Sequence, residues 1–317
     1  MNTLLTRRLL QLLPMLFFIS LVAFLLVKLA PGDPVAAYIT PRMAPEDIER
    51  IRQSLGLDKP LVTQYVLWLK NVLQGDLGYS LIYHRPVLEM IGERIPATLG
   101  LMGASLMMAI VLAIPLGLLA GAFKHRWLDH LLNLFAYIGI SVPIFWFGIL
   151  LITIFAVQLN WFPSMGMRTI GMEDNGLDLL RHGVLPCIAL TFYNLSSYVR
   201  YIRSNTISQL SADYVQTQLA YGATRSGILF HHVLKNVLLP VITLFGLSFG
   251  ELVVGAYVTE SVFSWPGMGL LGIQSIASLD YPLIMAIIML SSMMLIVGNL
   301  IADVLYRFAD PRIRTLR

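Results

Sequence analysis

Long apolar runs alternate with short polar segments along the whole chain, and this alternation is its dominant pattern. An α-helix needs about 20 mostly apolar residues to cross roughly 30 Å of hydrocarbon. Open strands are excluded as an alternative, because their edges leave backbone groups without partners in lipid. The pattern therefore predicts an all-α membrane protein with six transmembrane helices. They are predicted at residues 9–29, 98–123, 131–157, 182–201, 237–258 and 281–305.

The composition agrees with this pattern. Of the 317 residues, 57% are hydrophobic and only 13% are charged, whereas a soluble domain carries about 25% charged residues. The net charge of +4 is dispersed along the chain, so it does not indicate a nucleic-acid partner. The single cysteine, Cys187, excludes an intrachain disulfide and a cysteine-based metal cage.

Charge differences between the polar segments predict the orientation, because Lys and Arg favour the cytoplasmic side of a membrane. With Arg7 and Arg8 in the cytoplasm, the segments that follow spans two and four are also cytoplasmic and rich in basic residues. Both termini, residues 1–8 and 306–317, are then cytoplasmic. The first span is not read as a signal peptide, since its apolar run is too long.

Residues 30–97 are too polar to enter lipid and predict an extracytoplasmic segment between the first two spans. Two short helices are expected within it, at 45–55 and 61–73. The second carries Tyr65 and Trp68, and two interpretations of these rings stay open. They either hold the helix on the membrane surface or belong to a small cap near the entrance for a delivered substrate.

A polar, helix-forming cytoplasmic loop is predicted at residues 202–236. Ser211 is placed to cap a helix over 213–220, in which Asp213 is favourable in the first turn. Gly222 permits a sharp change of direction, and a second helix is expected over 226–236. Two helices joined at a glycine corner would present a knuckle to the cytoplasm. The plainer alternative is an amphipathic connector that rests on the inner leaflet.

This loop resembles the EAA loop by which permease subunits of ABC importers dock onto their ATPase. Gly222 takes the glycine position and Pro240 the distal proline, while Gln216–Gln218 stands in place of the Glu-Ala-Ala triplet itself. Leu219 and Tyr221 stand where the family usually has basic residues, so no salt bridge is expected from these two positions. The coupling residues that the resemblance implies are Asp213, Gln216, Thr217, Gln218, Ala220, Gly222 and Ala223.

The resemblance extends over nearly the whole chain and is nearest to the dipeptide, oligopeptide and nickel branch of these permeases. The order and spacing of several short stretches carry it. It implies the type I ABC importer permease fold, with a core over residues 98–305. The matching stretches are Pro31–Pro34, Leu55–Pro60, Gly75–Gly78, Pro96–Leu99, Ser141–Pro143, Glu260–Gly269, Asp280–Pro282 and Asp310–Arg314.

The resemblance also implies the function and the partners. It indicates a non-catalytic permease of the bacterial inner membrane that imports di- or oligopeptides, with nickel, a metal chelate or glutathione as alternative cargo. A homologous second permease, two ABC ATPase subunits and a periplasmic or lipid-anchored substrate-binding protein are expected partners. None of the lysines follows a glycine, so the chain has no Walker A motif. ATP and Mg are therefore expected on the ATPase subunits, and no cofactor on this chain.

Three residues are candidates for the translocation pathway. Glu251 is the single acid well inside a predicted span, and a carboxyl group in that position is costly unless it serves a pathway or has a polar partner. It either lines the path, or is neutral or hydrogen-bonded at a helix interface, or lies nearer the membrane edge, and these interpretations stay open. Pro143 can bend the third span, and Tyr257 lies at the end of the fifth.

Two interpretations from other classes remain, a proton-coupled secondary transporter and a membrane receptor without a pathway. The first would need ionisable relays across several spans. The histidines form no metal-ligating pattern, and no metal site is expected. Gly117 and Gly121 lie four residues apart and predict a close-packing surface on the second span, which we expect to contact a partner permease.

Overall fold

The computed structural model describes residues 2–29, 44–54, 56–172, 174–238, 241–242, 244–245, 248 and 257–309. Over these residues the backbone forms helices and connecting turns, and the one β-type contact is an isolated bridge between Tyr79 and Pro86. The predicted all-α class is confirmed. The helices are α1 (Asn2–Leu29), α2 (Pro45–Ser54), α3 (Leu61–Leu73), α4 (Val87–Ala122), α5 (Trp127–Ser141), α6 (Ile144–Leu151), α7 (Gly176–Leu210), α8 (Asp213–Ala220), α9 (Arg225–Ile228), α10 (Tyr257–Val262), α11 (Met268–Ala277) and α12 (Tyr281–Ala309).

Helices α1, α3 and α12 pack together through an aromatic contact. Tyr65 of α3 is buried against Phe24 of α1, with 5.4 Å between the ring centres. Its hydroxyl lies 2.8 Å from the hydroxyl of Ser20, and Met285 of α12 completes the cluster. Tyr65 is therefore not a membrane-surface anchor, because its ring is enclosed by neighbouring helices.

The two longest helices, α4 and α7, run parallel to each other and form the centre of the molecule. A Cβ added at Gly117 would lie 2.6 Å from the side chain of Ile202, and one added at Gly121 would lie 2.5 Å from Thr206. The two glycines thus allow close helix contact, as their spacing predicts. The expectation that this surface contacts a partner permease is wrong, because α7 of the same chain fills it.

The third predicted span, 131–157, is sharply bent. Helix α5 ends at Ser141, α6 begins at Ile144, and the two axes differ by 100°. Val142 has an extended backbone, because a residue that precedes a proline disfavours the helical region. Pro143 itself has no N–H to continue the helix. After α6 the chain continues as a π-helical segment, Ile152–Gln158.

Within the described residues, two helices are long and apolar enough to cross a membrane, at 87–122 and 281–301. The bent α5–α6 pair makes a third if it counts as one span. Most of the predicted fifth span, 237–258, lies outside the described residues, as do the stretches 31–34 and 310–314. The count of six spans and the exact span limits stay predictions.

Candidate coupling loop and its supporting contacts

The predicted coupling loop begins as a continuation of α7, which extends to Leu210. Helix α8 then covers Asp213–Ala220, which are the predicted limits. The predicted cap is wrong, because the Ser211 hydroxyl donates to the carbonyl of Ile207 at 3.0 Å and Ala212 takes the capping position. A serine near a helix end can satisfy the preceding turn instead of starting the next helix.

Gly222 forms the corner of the loop. Its backbone has a φ of +83°, a conformation that side chains make costly. Apart from its chain neighbours, none of the residues that the structure describes has an atom within 4 Å of where a Cβ would be. Thr224 then caps α9, since its hydroxyl accepts from the N–H of Gly227 at 3.2 Å. The helix expected over 226–236 is π-helical at Leu229–Val233.

The corner presents a mixed polar and apolar surface. Tyr221 is 84% exposed and Leu219 is 42% exposed, and Asp213 is the single charged side chain between residues 211 and 224. This surface therefore suits apolar contacts and neutral hydrogen bonds better than ion pairs. Of the predicted coupling residues, Asp213, Gln216, Thr217, Ala220 and Gly222 are exposed, whereas Gln218 and Ala223 are half-buried.

Apolar side chains on the inner side of the loop attach it to the central helices. Val215 and Ile228 are buried in the same cluster as Leu106 of α4 and Ile202 of α7. Leu229, Val233, Val237 and Val241 belong to this cluster too. Because close-packed interiors transmit displacement, a force on the loop would act directly on α4 and α7.

Polar contacts close the two ends of the loop together. The side-chain oxygen of Gln209, at the end of α7, accepts from the Tyr214 hydroxyl at 3.1 Å and from the Asn236 amide at 2.9 Å. Tyr214, before the corner at Gly222, and Asn236, after it, thereby bond to the same side-chain oxygen of Gln209. This contact keeps the loop a compact hairpin of helices.

A buried ion pair holds α5 against α7 next to the loop. The guanidinium of Arg203 donates to both carboxylate oxygens of Asp129, at 2.5 and 2.8 Å. Asp129 is 1% exposed and also accepts from the backbone N–H of His125 and from the Asn133 amide. Such bidentate pairs fix geometry as well as charge, so the start of α5 is locked to α7.

The predicted pathway residues lie on separate elements. Glu251 is outside the described residues. Pro143 is exposed at the bend between α5 and α6. Tyr257 is half-exposed at the first turn of α10, and its backbone lies against Gly269. Their role in a pathway stays a prediction.

At the opposite end of α4, the fully buried carboxylate of Glu260 joins three helices. One oxygen accepts from the Thr98 hydroxyl of α4 at 2.8 Å. The other accepts from the backbone N–H groups of Gly269 and Leu270, at 2.8 and 3.0 Å, in the first turn of α11. A carboxylate is favourable at a helix N-terminus. Glu260 therefore fixes how α10, α4 and α11 meet.

Residues next to the Glu260 carboxylate pack two stretches that match the family, 96–99 and 260–269, against each other. A side chain at Gly267 would collide with Glu260 and Thr98. The indole N–H of Trp265 donates to the carbonyl of Ala97 at 3.0 Å. The stretch 96–99 thus packs on the stretch 260–269, although 160 or more residues separate their contacting pairs.

A second buried carboxylate lies where two more of these stretches, 75–78 and 280–282, come together. Asp280 is fully buried, accepts from the Ser80 hydroxyl, and accepts from the N–H of Leu81 at 3.2 Å. Gly78 has a φ of +81° and lies beside the ring of Pro282. The turn after residues 75–78 is therefore fastened to the start of α12.

A third carboxylate, Asp178, fastens the turn before α7. It accepts from the N–H of Thr169 at 2.7 Å and from the Thr169 hydroxyl at 2.8 Å, and it lies 3.7 Å from His182. The backbone N–H of Thr169 is the main cause that lowers the pKa of the Asp178 carboxyl below its usual value. Gly166, in the same turn, donates to the carbonyl of Phe263 at 2.8 Å.

Sequence reasoning gave no role to these four acids, Glu260, Asp280, Asp178 and Asp129. A signal exists for the first two, since both lie in stretches that match the family in order and spacing. What the sequence does not show is the main partner of each acid, because most partners are side chains of another element or backbone N–H groups. Asn133, four residues after Asp129 in the same helix, is a local exception.

A family model described as "Binding-protein-dependent transport system inner membrane component" matches residues 113–315. The model for the N-terminal part of such membrane components matches residues 1–102. Together they cover nearly the whole chain.

Two relatives of known name are similar over almost their full length. The oligopeptide transport system permease protein AppB of Bacillus subtilis is 40% identical over 308 residues, which is 97% of this chain and 98% of that protein. The glutathione transport system permease protein GsiC of Escherichia coli K12 is 39% identical over 308 residues, or 97% of each chain. This chain belongs to the family of inner membrane components of binding-protein-dependent transport systems.

Proposed function

We propose that the chain is the permease subunit of an ATP-driven ABC importer for di- or oligopeptides, and that it forms half of the translocation pathway. The observation that carries the proposal is the coupling loop. Its corner at Gly222 is exposed, while Val215 and Ile228 bury its inner side among residues of α4 and α7. A partner that grips the corner can therefore move the two central helices.

The remaining parts of the transporter come from other chains. A homologous permease would supply the second half of the pathway, two ABC ATPase subunits would bind the loops, and a periplasmic or lipid-anchored binding protein would deliver the cargo. The description of the family as binding-protein-dependent supports the last of these. The absence of a Walker A motif from the sequence supports ATP and Mg binding on partner chains and no cofactor here.

The family and the charges also support the proposed location. The basic segments that surround the loop support an inner-membrane protein with both termini in the cytoplasm. ATP-driven closure of the ATPases would pull on the loop, and α4 with α7 would pass the motion to the pathway. Cargo affinity must differ between the inward-open and outward-open states for transport to be driven.

Two other cargo classes are considered besides general peptides. Similarity to GsiC favours glutathione, itself a peptide with two free carboxyl groups. Nickel or a nickel chelate is the alternative from the wider branch. A proton-coupled transporter and a receptor without a pathway are set aside, because the family is one of binding-protein-dependent transport.

The test is cargo-stimulated ATPase activity of the whole assembly, reconstituted in vesicles with its partner chains and binding protein. A peptide panel, glutathione and nickel chelates are added in turn. We expect stimulation by peptides and its loss in Gly222→Asp, where a charged side chain is forced into the left-handed corner. An assembly that forms without any ATPase subunit would overturn the proposal, and stimulation by metal alone would reassign the cargo.

Gly75→Asp is the matched control for that variant. Gly75 has the same φ of +83°, also has no atom within 4 Å of a Cβ, and donates its N–H in the same kind of turn. It lies in the predicted extracytoplasmic segment instead of the coupling loop. Equal loss of ATPase stimulation in both variants would mean that backbone strain, and not the ATPase contact, caused the effect.

A further inference from the structure

The exposed face of α7 is polar along the inner half of the helix. Five exposed side chains follow one another at helical spacing on this face, and all carry a hydroxyl or a charge. From first to last they cover about 16 Å along the helix axis. The five are Tyr193, Ser197, Arg200, Tyr201 and Ser204.

Contacts with α4 give the depth of this face. The Thr191 hydroxyl donates to the carbonyl of Ser105 at 3.2 Å, and Ile202 contacts Gly117 eleven residues further along α7. The two contacts have nearly the same sequence offset, so Ser197 lies level with Val111. That position is near the middle of the predicted span 98–123. The sequence puts Arg200 at the edge of the membrane, whereas the packing puts it about one turn from mid-span.

At the same depth, the exposed face of α4 is entirely apolar. Met107, Met108, Val111 and Leu112 are each at least 41% exposed, and they form the surface that lipid would contact. Hydrocarbon can surround this face at no cost, but not the face of α7, because charged and polar groups in hydrocarbon lack partners. The two faces therefore meet different surroundings in the assembled transporter.

The polar face of α7 and the adjacent part of α5 form a groove with a cavity of about 370 Å³. The guanidinium of Arg200 lies over the ring of Tyr137, 5.7 Å from its centre. In contrast to Arg203, which is paired with Asp129, Arg200 has no carboxylate at ion-pair distance among the residues that the structure describes. The groove is lined by Asn133, Tyr137, Ser197, Arg200, Tyr201, Arg203 and Ser204.

We propose that this groove is a water-filled segment of the translocation pathway and that Arg200 binds the carboxylate of a peptide in transit. The inference rests on the proposed import function and adds the recognised group and the residue that recognises it. A guanidinium and a row of hydroxyls complement a terminal carboxylate and the polar backbone that follows it. The relatives named for oligopeptides and for glutathione share this chemical group in their cargo.

An anionic lipid headgroup offers the same charge, but the groove fits it less well. Headgroups stay at the membrane surface, whereas the hydroxyls of Ser197 and Tyr193 continue to mid-span depth and have no role there in lipid binding. A contact in a pathway must also release its cargo. The partial exposure of Arg200 and its stacking on Tyr137 suit such a transient contact.

The first experiment measures whether water reaches the groove. In a Cys187→Ser background, Ser197→Cys and Val111→Cys are compared for labelling by a charged, water-soluble thiol reagent in the reconstituted assembly. We expect labelling of the cysteine at 197 at least about tenfold faster than at 111, since thiolate chemistry needs water. Equal rates at the two positions would overturn the aqueous groove.

The second experiment measures recognition of the carboxylate. Transport of a peptide with a free C-terminus is compared with that of its C-terminal amide in wild type, Arg200→Gln and Arg200→Lys. We expect wild type to favour the free acid by about tenfold, the value of one charge-assisted hydrogen bond. Arg200→Gln should remove the preference, and Arg200→Lys should keep part of it.

The outcomes separate the two proposals. If wild type transports no peptide at all, the proposed function fails. If wild type transports peptides and Arg200→Gln keeps the full preference for the free acid, only the inference about Arg200 fails. If the variant instead changes the dependence of transport on anionic lipid in the vesicles while the preference stays, Arg200 is a lipid contact and the inference is wrong.

Discussion

The two ends of the central helices are held together by different chemistry. At the end that carries Thr98, buried carboxylates accept hydrogen bonds from backbone N–H groups and hydroxyls, as Glu260 does from α4 and α11. At the loop end, apolar side chains such as Val215 and Ile228 attach the loop to α4 and α7. The ion pair of Asp129 with Arg203 lies nearby, but it joins α5 to α7 and not the loop to either helix. Hydrogen bonds in a buried site tolerate little change of geometry, whereas apolar packing has no direction. The first end is therefore a fixed joint, and the second can present an adaptable surface to a partner.

The largest loss of stability is expected when Glu260, the hydrogen-bond acceptor of the fixed joint, is replaced. Glu260→Leu would leave the Thr98 hydroxyl and the N–H groups of Gly269 and Leu270 buried without a partner. Each such group costs about 1–3 kcal/mol. We expect a loss of roughly 3 kcal/mol or more of unfolding free energy, seen as a lower melting temperature in detergent.

Glu260→Gln is the control for that variant. The amide keeps one acceptor oxygen, so we expect a smaller loss than for leucine. A leucine variant that melts with wild type would show that the carboxylate does not hold the joint, and the contrast between the two ends would disappear.

The second effect concerns the joint at Asp280. Ser80→Ala removes one donor to the carboxylate, and Asp280→Asn replaces one acceptor oxygen by a donor. Each change should cost about 1–2 kcal/mol, and the double variant should cost less than the two together because the residues are in contact. Hydrogen exchange at residues 81–83 should rise in all three variants. Additive losses would mean that the two side chains act independently.

A third pair of variants separates the two roles of the coupling loop. Val215→Ala creates a small cavity among α4, α7 and α8 and should cost about 1–2 kcal/mol of stability. Gln216→Ala changes an exposed neighbour of that residue, so its melting temperature should stay within error of wild type. Its binding to the ATPase subunits should weaken instead. Loss of stability in the Gln216 variant, with ATPase binding intact, would reverse the assignment of the two faces.

The smallest effect is the pH dependence that Asp178 contributes. Its folded-state pKa is lowered, chiefly by the N–H of Thr169, so its stabilising contribution is fully present above the unfolded value of about 3.9. The contribution is lost as the pH falls through the lower folded value. The difference in melting temperature between wild type and Asp178→Asn should therefore shrink as the pH falls below 4. A difference that grows as the pH falls below 4 would contradict the sign.

The features that the sequence predicts correctly are local ones. The all-α class follows from the length of the apolar runs, and α3 and α8 begin and end at their predicted residues. Helix α4 begins at Val87, well before the predicted start of the span at 98. Hydropathy reports which residues contact lipid, and a helix can continue beyond them into water or protein. The predicted cap at Ser211 is wrong because its hydroxyl lies between two helices and bonds to the end of α7, at the carbonyl of Ile207, instead of the start of α8.

The features that the sequence does not predict depend on distant partners. Pro143 indicates a bend, but the angle of 100° is set by the packing of α6 on α7 and α10. Glu260 and Asp280 stand in recognisable stretches, yet their donors at Thr98 and Ser80 are far away in the chain. The polar face of α7 is hidden in the sequence as well, because its members are separated by the buried residues that hold the helix in place.

The polar face of α7 also has a consequence for the cell that makes this chain. At the depth that the proposed pathway gives it, Arg200 would draw water into the hydrocarbon if the subunit stayed alone in the membrane. We therefore expect the orphan chain to be short-lived, a substrate for membrane proteases until its companion arrives. Balanced synthesis of the two halves then becomes a condition for either one to accumulate.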